Sequence, residues 1–124
     1  VNAGVSIGDI DGKNGANTYA INGTSGAITG GVDADTFTIG AAGVTGALVG
    51  GAGDDIFTIN GDTTGRIASI SGGDGDDTVS LANTGVVSGT IDGGTGAETN
   101  GDTLTITAAS QTVNITDASN IEEY

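Results

Sequence analysis

The sequence predicts an all-β fold, a parallel β-solenoid with essentially no helix, and three observations predict it. A glycine–aspartate phrase recurs about every twenty residues along the chain. Each recurrence is followed by a short segment of two-residue apolar alternation. The chain also carries too little bulk and too much charge to condense as an ordinary globule.

The phrase is clearest in Gly50-Gly51-Ala52-Gly53-Asp54-Asp55-Ile56-Phe57-Thr58 and in Gly72-Gly73-Asp74-Gly75-Asp76-Asp77-Thr78-Val79-Ser80. Aligning on it gives five copies. An aliphatic residue enters each glycine loop at Ile10, Ile28, Leu48, Ile70 and Ile91, at spacings of 18, 20, 22 and 21 residues. After each loop two apolar residues stand at i and i+2: Tyr19/Ile21, Phe37/Ile39, Phe57/Ile59, Val79/Leu81 and Leu104/Ile106. Their neighbours are mostly Thr or Ser, so these are strands with one face inward. A short strand of three to five residues, a glycine loop, a second short strand and a Gly/Asn turn make one coil. A single coil cannot bury its apolar face, but stacked coils can, each ~4.8 Å above the last. Five to six coils are expected over residues 1–124, the sixth being partial at Val113-Asn114-Ile115-Thr116 with Ile121 beyond it, in a divergent tail over 107–124. The opposite corners, Asn22-Gly23, Gly43, Asn60-Gly61 and Asn83-Thr84-Gly85, are expected to use left-handed backbone. With no Met in the chain, the sequence reads as an internal segment of a longer repeat protein.

Composition then asks for a partner. Ile, Leu, Val and Phe number 27 of 124 residues, against a net charge of −14 from 16 acidic and 2 basic residues, Lys13 and Arg66. That apolar share, about 22%, is barely above the ~20% at which a highly charged chain stays disordered. Disulfides are excluded because there is no Cys, which leaves divalent cations to neutralise the carboxylates in the folded state. Two scattered cations cannot form a nucleic-acid footprint, and no apolar run approaches the ~20 residues of a membrane-spanning helix.

The loops have the chemistry such a cation needs. Their glycines permit positive φ and let carbonyls converge, while the Asp supplies carboxylate oxygen. Hard oxygen donors suit Ca²⁺, and the chain has no His or Cys to hold Zn²⁺. The candidate ligands are Gly51, Gly53 and Asp55 in the third copy and Gly73, Gly75 and Asp77 in the fourth. In the second copy they are Gly31, Asp33 and Asp35, with Asp33 replacing a loop glycine. The fifth copy offers Gly94, Gly96 and Glu98, with Glu98 in the Asp slot; this copy is four residues longer before its strand, and Asp102 can substitute for Glu98. The first copy has Lys13 for the second glycine and Asn17 for the Asp, so a weak or empty site is expected there. Asp54, Asp74 and Asp76 read either as outward carboxylates that raise the local negative potential or as occasional ligands. Asp9-Ile10-Asp11-Gly12 is not an EF-hand start, because Lys13, Asn14 and Ala20 stand at positions that loop needs for other residues.

On these loops the chain resembles RTX (repeats-in-toxin) proteins, the calcium-binding exoproteins of Gram-negative bacteria, over roughly residues 10–106. The resemblance implies calcium-dependent folding outside the cell. It departs from the familiar β-roll in having the nonapeptide on one half-turn only, so one ladder of several calcium ions along one edge is expected. The tail is similar to spacers in RTX-type surface-layer proteins and adhesins. The expected function is therefore structural: a repeat segment of a secreted bacterial cell-surface protein, whose partners are neighbouring segments of its own chain or copies of itself. One alternative is a secretion and folding module of an extracellular enzyme. Another is an ice- or glycan-binding face built from the outward threonines. No catalysis is expected within this chain, because it lacks His and Cys and its Asp residues lie in repeats instead of at one unique spot.

Overall fold

The computed structural model describes residues 1–60, 66–82, 86–96, 98–107 and 117–122. Within them the chain is all-β, a parallel solenoid of two facing sheets without helix. The first sheet stacks β1 (Ile10–Asp11), β3 (Ile28–Val32), β5 (Val44–Ala52), β7 (Arg66–Asp74), β10 (Thr90–Gly94) and β12 (Asp117–Ser119), with β9 (Val86–Val87) also on β7. The second stacks β2 (Thr18–Ile21), β4 (Thr36–Ile39), β6 (Ile56–Ile59), β8 (Thr78–Leu81) and β11 (Thr103–Ile106).

The register follows the apolar alignment residue for residue. Ile10, Ile28, Leu48, Ile70 and Ile91 pair in succession, and Ala118 follows as the next rung. In the second sheet Tyr19, Phe37, Phe57, Val79 and Leu104 form one inward row and Ile21, Ile39, Ile59 and Leu81 the next; Ile106 pairs with Leu81 but, expected inward, is exposed. A one-residue slip would turn the buried side chains of these rows to water, so burial fixes the pairing. The chain makes about four turns, slightly fewer than the five to six coils expected. The tail rung described is β12, whereas Val113-Asn114-Ile115-Thr116 lies outside the described residues, as do Gly61 and Asn83-Thr84-Gly85.

Two features differ from expectation. β5 and β7 run for nine residues each, because the inter-strand bonds continue across the corner where Val44 pairs with Arg66 and Thr45 with Ile67. Arg66 therefore opens a strand. The corners at Asn22, Gly23, Gly43 and Asn60 do not use positive φ, which among the described residues gathers almost wholly on the glycine-loop edge. Gly43 is needed for closeness: a side-chain carbon there would lie 2.6 Å from both the Ile21 carbonyl oxygen and Ile39 Cγ2.

Aromatic stacking reinforces the core between the first three turns. Tyr19 and Phe37 stack with centroids 4.9 Å apart, and Phe37 and Phe57 at 4.6 Å. Phe57 is fully buried between the Phe37 and Val79 rungs. Phe57→Ala is expected to cost about 3–4 kcal/mol, since it removes a buried ring and leaves a cavity that the rigid rungs cannot close. Urea denaturation measures this, and a loss below about 1 kcal/mol would show that the row is not the main core.

Candidate metal centre: a column of buried aspartates

Positive φ recurs at two places in each of the first four loops and at the first of them in the fifth. At the second position it falls on Lys13 (φ 68), Gly31 (125), Gly51 (122), Gly73 (124) and Gly94 (136). At the fourth it falls on Gly15 (86), Asp33 (75), Gly53 (109) and Gly75 (126). Lys13 and Asp33, the two departures from glycine, adopt the same left-handed backbone at a steric cost that glycine avoids. This recurrent geometry turns the chain so that the sixth loop residue points back into the solenoid.

That residue is Asp35, Asp55 and Asp77 in successive turns; in the longer fifth loop Asp102 takes the place, and each of the four is no more than 2% exposed. One oxygen of each is tied to the turn below. Asp35 Oδ1 accepts the Asn17 amide at 2.6 Å, Asp55 Oδ1 the Asp35 amide at 2.7 Å, Asp77 Oδ1 the Asp55 amide at 2.7 Å, and Asp102 Oδ1 the Asp77 amide at 2.7 Å. The other oxygen, Oδ2, is buried without a hydrogen-bond partner in all four. A buried polar atom without a partner is rare and costly, about 1–3 kcal/mol, and here it repeats four times in register.

The first glycine of each loop makes room for this carboxylate. At Gly50 a side-chain carbon would collide with Asp55 Oδ2 and stand 2.7 Å from the Gly72 carbonyl oxygen. Gly30, Gly72 and Gly93 are crowded in the same way by Asp35, Asp77 and Asp102 Oδ2 and by the next turn's carbonyl. The inward face of each loop is therefore lined with oxygen: a free carboxylate oxygen and a backbone carbonyl one turn above. That donor set fits a hard cation such as Ca²⁺. Asp35, Asp55, Asp77 and Asp102 would hold it, and it would supply charge neutralisation between turns.

Electrostatics agree with the geometry. Burial pushes the Asp55 carboxyl up to about 6; the Asp35 amide works against it, and the Asp35 and Asp54 charges add to it. Burial pushes Asp77 up to about 7, opposed by the Asp55 amide and reinforced by the charges of Asp55, Asp102 and Asp54. Asp102 is raised in the same sense, by burial first. These carboxylates are ill at ease as anions without a cation beside them.

The remaining acidic candidates are placed differently. Asp102, not Glu98, fills the Asp slot of the fifth loop: it carries the Asp77 hydrogen bond and directly precedes β11, as Asp77 precedes β8. The four extra residues bulge outward and leave Glu98 beside the slot. Asp33 is exposed and its Oδ2 accepts the Gly15 amide at 2.9 Å. Asp54 and Asp76 are also tied to their own chain. Asp54 Oδ1 takes the Asp76 amide at 3.0 Å, and Asp76 takes the amides of Thr99, Asn100 and Gly101. These outer carboxylates lace one loop to the next along the surface. Asp74 is exposed. Gly53 and Gly75 lie against the loop below with no space for a side chain, and a carbon added at Gly96 would collide with Asp74. Gly31, Gly51, Gly73 and Gly94 stack on one another in the same way. In the first loop Asn17 occupies the Asp slot and turns its Nδ2 to the Gly15 carbonyl at 2.5 Å, and Lys13 pairs with Asp11.

One residue of the centre is invisible in the repeat. Glu122 Oε2 accepts the Asp102 amide at 2.7 Å, the role each inner Asp plays for the turn below. It reaches that amide from a different loop position with a longer side chain, so no spacing rule finds it. The only sequence signal is a pair of acidic residues, Glu122 and Glu123, at the end of an otherwise weakly charged tail. Among the described residues no helix is long and apolar enough to cross a membrane. Compared with protein-family models, curated proteins and solved structures, the chain finds no match.

Proposed function

We propose that this chain is a calcium-stabilised structural segment of a secreted bacterial cell-surface protein, of the surface-layer or adhesin kind, that folds on meeting external calcium. The observation that carries the reading is the column of four buried aspartates, each with an oxygen lacking a partner, in a chain of net charge −14. An ion between successive turns gives each orphan oxygen a ligand role and removes the repulsion along the column. Without the ion the same column opposes folding, so calcium binding and coiling are one linked equilibrium. At submicromolar cytosolic calcium the chain stays open, and at millimolar external calcium it coils. The chain has neither His nor Cys, which favours scaffolding over catalysis. Lateral contacts to copies or neighbouring segments would use the exposed acidic edge, Asp74 foremost.

Far-UV circular dichroism during a calcium titration, with magnesium as control, tests the reading. A coil-to-β transition at micromolar to millimolar calcium, reversed by chelator, is expected. A β signal that chelator leaves untouched would sink it and would make the glycine–aspartate loops plain tight turns.

A further inference from the structure

The end of the aspartate column differs from its middle. In the third and fourth turns one inward carboxylate stands at each loop. At the fifth, carboxylate oxygens of Glu98, Asp102 and Glu122 all lie within 4.8 Å of one another. Glu98 comes from the four-residue bulge, Asp102 from the column, and Glu122 from the stretch after β12. Lys13 and Arg66, the only basic side chains of the sequence, stand on the first loop and at the start of β7, so neither offsets this charge.

An acidic cluster alone proves little, but a second observation points to a ligand. Asp102 is 1% exposed; its Oδ1 is taken by the Asp77 amide and its Oδ2 has no partner at all. Glu122 is held in place from both directions: its own amide donates to the Asp102 carbonyl at 3.0 Å, and its Oε2 accepts the Asp102 amide at 2.7 Å. Asp102 and Glu122 are thus positioned by backbone bonds and not merely crowded. Opposite oxygens around one Ca²⁺ stand about 4.6–5.2 Å apart, and around Mg²⁺ only about 4.0–4.2 Å. Separations within 4.8 Å let all three carboxylates reach one such ion.

We infer that Glu98 and Glu122 join Asp102, the last aspartate of the column, in a calcium site richer in carboxylates than the repeated loops, which clasps the 117–122 segment onto the last complete turn. The identity of the ion rests on the reading of the column given above, but the clasp has its own ligands in Glu98 and Glu122. With three carboxylates on one ion it binds more tightly than a loop with one. It therefore loads first as calcium rises, and it closes the end of the solenoid before the column fills.

Isothermal titration of the full chain with calcium chloride separates the two. Glu122→Gln and Glu98→Gln remove charge without removing bulk, and the glutamine carbonyl at 122 can still accept the Asp102 amide. Each is expected to weaken the tightest binding event at least tenfold while leaving the calcium-driven β transition in place. Each also removes the calcium-dependent hydrogen-exchange protection of residues 117–122. Asp55→Asn is expected to do the reverse, weakening the later events and sparing the first. If both glutamine variants titrate like the parent, the clasp is wrong and the column stands. If Asp55→Asn changes nothing while Glu122→Gln removes all binding, the column is wrong and the clasp stands. A parent chain that takes up no calcium overturns both.

Discussion

Gly73→Ala is expected to cost about 4 kcal/mol or more and to leave the chain unfolded whenever calcium is limiting. Two effects combine at this position. Its φ of 124 lies where a side chain is strained whatever the space. Its side-chain carbon would also lie closer than 3.0 Å to the carbonyl oxygen of Gly51, a backbone atom fixed within the stack. Relief means separating β5 from β7, which share the longest pairing in the molecule. Gly15→Ala is the control. Gly15 also has positive φ, 86, but an added carbon there meets nothing within 4 Å, so only the conformational term of about 1 kcal/mol remains. Calcium midpoints of the β transition for the two variants measure the difference. Equal midpoints would show that contact between turns does not limit these loops.

The second large effect changes sign with calcium. The double variant Asp55→Asn/Asp77→Asn is expected to lose most calcium-driven folding, yet in chelator at pH 7.5 to be more β-structured than the parent. The reason is the raised carboxyls: about 6 for Asp55 and about 7 for Asp77, against 3.8 for an unperturbed Asp. A carboxyl whose pKa is higher folded than unfolded binds more protons in the folded state, so the calcium-free fold gains stability as pH falls from about 7 towards 4. Above pH 7 both groups are anions in either state and the full burial penalty is present. The calcium-bound fold follows the opposite trend, because protons compete with the ion for the same oxygens. Dichroism against pH from 4 to 8, with and without calcium, should therefore give curves that cross. Parallel curves would mean that the inner aspartates neither hold the ion nor suffer from its absence.

Much of the architecture was legible because it repeats. Ile10, Ile28, Leu48, Ile70 and Ile91 could be aligned by eye, since burial of one face allows only one register, and the observed pairs are those residues. Asp35, Asp55 and Asp77 were legible for the same reason. Legibility ended where one signal has two physical causes. Asn and Gly at Asn22, Gly23 and Gly43 read as left-handed corners, but Gly43 is small because Ile21 and Ile39 press on it. In the fifth loop counting residues gave Glu98 with Asp102 as its substitute, and only the structure decides between them, handing the slot to Asp102. Glu122 was beyond any counting rule, because its role comes from the reach of its side chain across a turn of irregular length. The column's orphan oxygens were equally hidden, since a sequence shows a carboxylate but not what its second oxygen lacks.

The direction of the hydrogen bonds has a mechanical consequence. In this parallel stack the bonds between turns run along the solenoid axis, and the aspartate bonds between loops link the same successive turns. A pull applied at the two ends of the rod loads these bonds end-on and a turn at a time, instead of shearing a whole sheet together. Each turn of about 20 residues that peels away would release roughly 65 Å of chain in place of its ~4.8 Å rise. Under tension such a segment yields in long, even steps, and every released turn can wind back when the force falls. Built into a surface layer or a tether, it would behave less as a strut than as an extensible link whose yield force is set by the calcium around it.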